Sequence, residues 1–118
     1  MFSVAPQAHV LAEREQHHLL LIRPLAVSTL QAGAEEVPTI VADIVDLTEW
    51  AFLPGAQVTG PALVAQLRAA LTDGLVLGRL GYAVTSSGAR VRILAPHTGQ
   101  DARLAEKWLA ENPGRIVR

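Results

Sequence analysis

Residues 58–96, VTGPALVAQLRAALTDGLVLGRLGYAVTSSGARVRILAP, decide how this chain is read. Thr59 is a candidate N-cap and Pro61 suits the first helical turn. Leu63, Val64, Leu67 and Leu71 then fall on one helical stripe. Two continuations are open. In one, the helix runs to about residue 72, Gly74 caps it, and Leu75 to Val84 is a single strand. In the other, the helix ends near Arg68, Ala69-Ala70-Leu71 turns the chain, and Thr72 caps a second helix over 73–80. Glycine costs about 1 kcal/mol inside a helix, but it weakens strands as well. The pattern Leu75, Gly78-Arg79, Leu80-Gly81 suits a helix ending at Gly81 as its left-handed cap. Beyond Gly81, Tyr82 and Val84 alternate on one arm, and Val91 and Ile93 on another. Thr85-Ser86-Ser87-Gly88 supplies the turn between them. Arg90 and Arg92, two apart, point to one side of the ribbon.

Upstream, Pro38 opens a segment in which Ile40, Val41, Ile44, Leu47 and Ala51 follow helical spacing. Asp43, Asp46 and Glu49 fall on the opposite side, and Leu53-Pro54-Gly55 stops the run. This spacing predicts a helix over 38–52. Residues 1–16 allow either a helix after Pro6 or a strand from Ala8 to Ala12 turning at Glu13-Arg14-Glu15-Gln16. His17 to Ile22 is short and apolar, a strand ended by Arg23-Pro24. Residues 28–37, STLQAGAEEV, look like a connection. Downstream, a last helix is expected from Asp101 to Glu111, with Ala102, Ala105, Trp108 and Leu109 on its inner stripe and Asn112-Pro113-Gly114 ending it.

The 118 residues suit one domain with a core large enough to fold without staples. Half of them are hydrophobic and mean hydropathy is +0.28, which excludes disorder as the default. Cysteine is absent, so disulfides, thiolate nucleophiles and Cys-based metal sites are excluded. The longest apolar run near the start, Leu19-Leu20-Leu21-Ile22, is far short of the roughly 20 residues that cross a bilayer. The first residues lack a basic start and a long apolar stretch, so no signal peptide and a cytoplasmic location are expected. Net charge is −1 but unevenly spread. Residues 1–60 hold two arginines against seven acids, a balance of −5; residues 61–118 hold eight bases against four acids, a balance of +4. That asymmetry points to an anionic partner on the C-terminal half. Its plainer meaning is an arginine-solvated surface.

The layout of helix 38–52, helix 60–68, helix 72–80 and ribbon 82–95 resembles the winged helix-turn-helix family. The matching residues are Pro54-Gly55-Ala56-Gln57-Val58-Thr59-Gly60-Pro61-Ala62-Leu63, Leu71-Thr72 and Leu80-Gly81-Tyr82-Ala83-Val84. The segment is also similar to winged modules attached to phage or plasmid replication proteins. The resemblance implies an α+β fold: a winged-helix core of three helices and a two-stranded wing over 38–96. An N-terminal extension over 1–36, hairpin or helix, and a C-terminal helix over 100–112 complete the single domain. It further implies binding of double-stranded DNA without catalysis, by a transcriptional regulator or replication accessory, and a homodimer, as winged proteins often read two half-sites. Carried over, the contacts would be Arg68 on the preceding helix, and Thr72, Asp73 and Arg79 on the reading helix. Ser86, Ser87, Arg90 and Arg92 would be the wing's phosphate contacts. Each has a plain alternative: Thr72 as a helix cap, Arg90 and Arg92 as the solvent face of a half-buried strand.

Other constellations carry less. His17 and His18 are adjacent and face opposite sides of a strand, so they do not chelate one ion, and no metal or cofactor is expected. Asp43 and Asp46 are better read as an acidic outer face than as an acid–base pair. No nucleophile–base set or phosphate-gripping loop is present. A rival function is a protein–protein adaptor using the acidic N-terminal half, without nucleic acid.

Overall fold

The computed structural model describes Leu11, residues 15–71 and residues 74–116, except the side chain of Ala32. Thr72 and Asp73, and the expectations placed on residues 1–10 and 12–14, lie outside the described residues. Five strands and two helices follow in the order β1 (Leu19–Ala32), β2 (Glu35–Asp46), β3 (Ala51–Val58), α1 (Pro61–Arg68), β4 (Val76–Val84), β5 (Arg90–Pro96) and α2 (Gly99–Glu111). The strands form one antiparallel sheet in the order β3-β2-β1-β4-β5. Three consecutive strands are thus joined by a fourth that returns beside the first, which is a Greek key.

The four residues Leu19-Leu20-Leu21-Ile22 are apolar without alternation because both of their faces are covered. Leu20 and Ile22 enter a core with Ile40, Ala42 and Ile44 of β2, Ala56 and Val58 of β3, Leu80 of β4, Leu94 of β5, and Leu63, Val64 and Leu67 of α1. Leu19 and Leu21 enter a second cluster with Val45, Leu47 and Ala105 and Trp108 of α2. The first cluster draws on both outermost strands, so the sheet curls around it with α1 in its mouth. Leu11 spans the gap between the outer strands: its N–H donates to the Gln57 carbonyl on β3, and its carbonyl accepts from the Arg92 guanidinium on β5. Along the outer edge of β5, the Gln66 amide of α1 accepts from the Leu94 N–H and donates to its carbonyl, at 2.9 and 3.1 Å. A helix side chain thereby covers backbone groups that an open edge would expose.

The winged-helix core is therefore overturned. Residues 38–52 are not a helix but most of β2, a turn at 47–50 and the start of β3. Their apparent helical spacing arises because β2 is covered on both faces, Ile40, Ala42 and Ile44 by the inner core and Val45 by α2. The irregularity between Ala42 and Ile44 puts its extra residue on β3, so β2 keeps its period of two. Residues 76–80 are strand, not a reading helix. Gly78 is needed there because a Cβ on it would lie 2.7 Å from the Ala95 carbonyl oxygen of β5. Helix α1 does end at Arg68, as one sequence alternative had it, but its N-cap is Gly60 rather than Thr59. An acidic helix face at 38–52, on which an adaptor could have drawn, goes with that helix.

Arg23-Pro24 does not end β1. A bulge between Pro24 and Ala26 absorbs the proline, and the strand runs on to Ala32. Among the described residues, Pro24 and Pro38 sit where their strands have a neighbour on one side only, and Pro54 is on the outermost strand β3, positions that spare the sheet a missing N–H. The supposed connection over 28–37 is the far half of a β1–β2 hairpin turning at Gly33, φ 63°. The β4–β5 ribbon and the last helix stand where the sequence placed them, with Ala105 and Trp108 buried. No helix among the described residues is long and apolar enough to cross a membrane.

Candidate functional site

The β4–β5 ribbon projects past the start of β1, which pairs β4 only from Leu19 to Ile22. Its tip is a tight turn. The Gly88 N–H donates to the Thr85 carbonyl, and Gly88 takes φ 85°, the left-handed residue such a three-residue loop requires. The Thr85 hydroxyl accepts from the Ala89 N–H at 3.1 Å and lies 2.9 Å from the Ser87 hydroxyl. Ser86 is exposed. Tyr82 lies opposite Arg92, and Val84 opposite Arg90. The Arg90 guanidinium stacks over the Tyr82 ring, 4.2 Å from its centroid. The ribbon thus presents a ring, an exposed cation and a hydroxyl-bearing turn.

The other arginines expected at a DNA surface are scattered. Arg92 shares the ribbon face with Arg90, but its guanidinium holds the Leu11 carbonyl at 3.0 Å. Arg79 is on β4 and fastens α2: it donates to the His17 carbonyl and pairs with Asp101 at 3.1 Å. Arg68 closes α1 and lines an open groove of about 450 Å³ with Pro38, Pro61, Val64, Ala65 and Ala69. Of the proposed contacts, the structure keeps Ser86, Ser87 and Arg90 together at the ribbon end, with Arg92 behind them.

Asp101 is buried and reciprocally capped. Its backbone N–H donates to the Thr98 hydroxyl, while its carboxylate accepts from the Thr98 N–H. That backbone hydrogen bond, with help from the Arg79 charge and against the opposing effect of burial, holds its pKa below the usual 3.8. A depressed carboxylate contributes stability that is complete above its unfolded pKa and is lost as pH falls through the folded one. Asp101→Asn is therefore expected to destabilise the protein at neutral pH and to match wild type below the folded pKa. Urea unfolding across that range reads the convergence; a constant gap at every pH would contradict it.

Scans of this chain against protein-family models, curated proteins and solved structures give no match.

A second cluster occupies the same end of the sheet, around the β2–β3 turn. Asp46 is buried, and one carboxylate oxygen accepts from the Thr48 and Glu49 N–H groups. The other lies 2.6 Å from His18 Nδ1, whose Nε2 is 3.9 Å from Glu49. Asp43 and Asp46 are three apart on a strand and so face opposite sides. Asp43 accepts from the Gly55 N–H instead. Trp50, at φ 57° and 40% exposed, carries the Lys107 ammonium 5.9 Å from its ring centroid. No group of three metal-ligating side chains exists among the described residues. From the sequence alone, Tyr82, Trp50 and Lys107 carried no functional role. The available signal was an aromatic beside a turn with a cation near it, but the pairing of Lys107 with Trp50 crosses the fold and no local spacing shows it.

Proposed function

We propose that this protein binds single-stranded nucleic acid, using the Tyr82–Arg90 stack on the β4–β5 ribbon, and that it acts by binding rather than catalysis. The observation that carries the reading is that stack: a tyrosine ring with an exposed guanidinium over it, two groups that together suit a base and a phosphate, on a ribbon that projects beyond β1. Sequence-independent single-strand binding combines these two elements. The connectivity supports it. A curled five-stranded Greek key with a helix between the third and fourth strands is the arrangement of oligonucleotide/oligosaccharide-binding folds, whose β4–β5 loop borders the bound ligand. Trp50 with Lys107 is a second aromatic–cation pair at the same end of the sheet, on the α2 side. Double-stranded recognition by a helix in the major groove loses its support, because residues 76–80 are strand. A cytoplasmic location belongs to the same proposal, consistent with a chain without cysteine.

A stacked base is worth about 1–3 kcal/mol by alanine substitution. Tyr82→Ala is expected to weaken binding of a fluorescent oligothymidylate by about tenfold or more. Arg90→Ala is expected to weaken it less and to flatten its salt dependence by about 0.7, the slope for one phosphate contact on a single strand. Wild-type affinity in Tyr82→Ala would overturn the assignment.

A further inference from the structure

Among the described residues, β1 has a strand on one side only beyond Ile22. Its ladder to β2 continues to Ala32, whereas its ladder to β4 stops at Ile22. From Arg23 onward the opposite edge has no strand beside it among the described residues. The resulting β1–β2 ribbon is two strands wide over residues 26–39, since β3 joins β2 only from Ile40. Two-stranded ribbons are marginal in water; three or more strands with an apolar face are needed for stability of their own. Yet this one is long, and Leu25 and Val27 on it are 41% and 44% exposed.

Natural edge strands of this length are usually blunted by charges, prolines or bulges. Here the proline and the bulge both stand at the base, at Pro24–Ala26. From there to the tip, Leu25-Ala26-Val27-Ser28-Thr29-Leu30-Gln31-Ala32 has no charged side chain. We propose that this edge is a dimer interface that pairs antiparallel with the same edge of a second copy of this chain.

A two-fold axis makes such an interface self-complementary, so each residue meets a fixed counterpart. With the axis at Ser28, Val27 of one copy lies opposite Thr29 of the other, and Ala26 opposite Leu30. No like charges meet along the uncharged run. At its ends, Arg23 of one copy comes opposite Gly33 of the other, beside the tip that carries Glu35 and Glu36. The cation at the base of each ribbon thereby points toward the tip of its mate, where Glu35 and Glu36 lie one strand in from the seam. Pairing turns two marginal ribbons into one four-stranded sheet and covers Leu25 and Val27. A partner protein of other composition would not bring this matched exchange of Arg23 for Glu35 and Glu36.

Sedimentation equilibrium of the full chain at micromolar concentration tests it. Wild type is expected at twice the 12.6 kDa chain mass. Val27→Lys with Thr29→Lys places ammonium groups opposite one another across the axis and is expected to give monomer. Val27→Lys with Thr29→Glu places opposite charges in register and is expected to restore the dimer. A monomeric wild type would overturn the proposal and leave the edge to a different partner. So would a dimer that survives the double lysine change, or a failure of the Lys–Glu pair to restore what the two lysines removed.

Discussion

Leu20→Ala is expected to remove about 3 kcal/mol of stability, a large share of what a domain this size possesses. Leu20 is fully buried on β1, the one strand hydrogen-bonded to both halves of the sheet. It stands opposite Asp46 of β2 on one side and Gly78 of β4 on the other. Truncating it opens a cavity at the seam of the two ladders, which neither can close without losing register. With a urea slope of about 1.5 kcal/mol per molar, the midpoint falls by about 2 M. A shift of a few tenths molar would mean that the inner core is not built on this strand.

Trp108→Ala is expected to cost about 3–4 kcal/mol, by a different route. Trp108 is 3% exposed and lies against Phe52 of β3, ring centroids 6.0 Å apart, with Leu19, Leu21 and Val45 in the same cluster. It is the main anchor of α2 on the outer face of the sheet. Its removal frees the helix while leaving the inner cluster, which shares no residue with it, intact. Circular dichroism should therefore show partial loss of helix before the sheet unfolds. Leu104→Ala on the same helix, 37% exposed, should change stability by no more than about 0.5 kcal/mol. Equal effects from the two substitutions would contradict the packing of α2 described above.

Local chemistry was legible in the sequence where it acts alone. Thr85-Ser86-Ser87-Gly88 needs one left-handed residue and a hydroxyl acceptor, and it forms the turn it announces. Asp101 to Glu111 carries a clean stripe and a terminal Asn-Pro-Gly, and it is helical. The failure over 38–52 has a physical cause. A strand buried on both faces shows no alternation, and with the four-residue turn after it the apolar residues of both faces fell at helix-like intervals. Asp46 carried a usable hint. An aspartate whose carboxylate accepts the N–H groups two and three residues on is a turn signature, and Asp46-Leu47-Thr48-Glu49 fits it better than an exposed helix face. At the candidate site, Arg90, Ser86 and Ser87 were visible because they share a hairpin. The structural employment of Arg79 and Arg92 was not, because their partners, Asp101 and Leu11, are brought to them only by the folded sheet.

The ribbon's aromatic–cation face makes one demand that a duplex-reading protein does not: the base must leave its stack to meet the ring. Fluorescence anisotropy of labelled oligothymidylate and of a duplex of equal length, in parallel at several salt concentrations, tests this directly. The single strand is expected to bind more tightly at every concentration, with affinity falling as salt rises. Equal affinity for the duplex, or no binding of the single strand at low salt, would contradict the assignment of Tyr82 and Arg90 as a nucleic-acid contact.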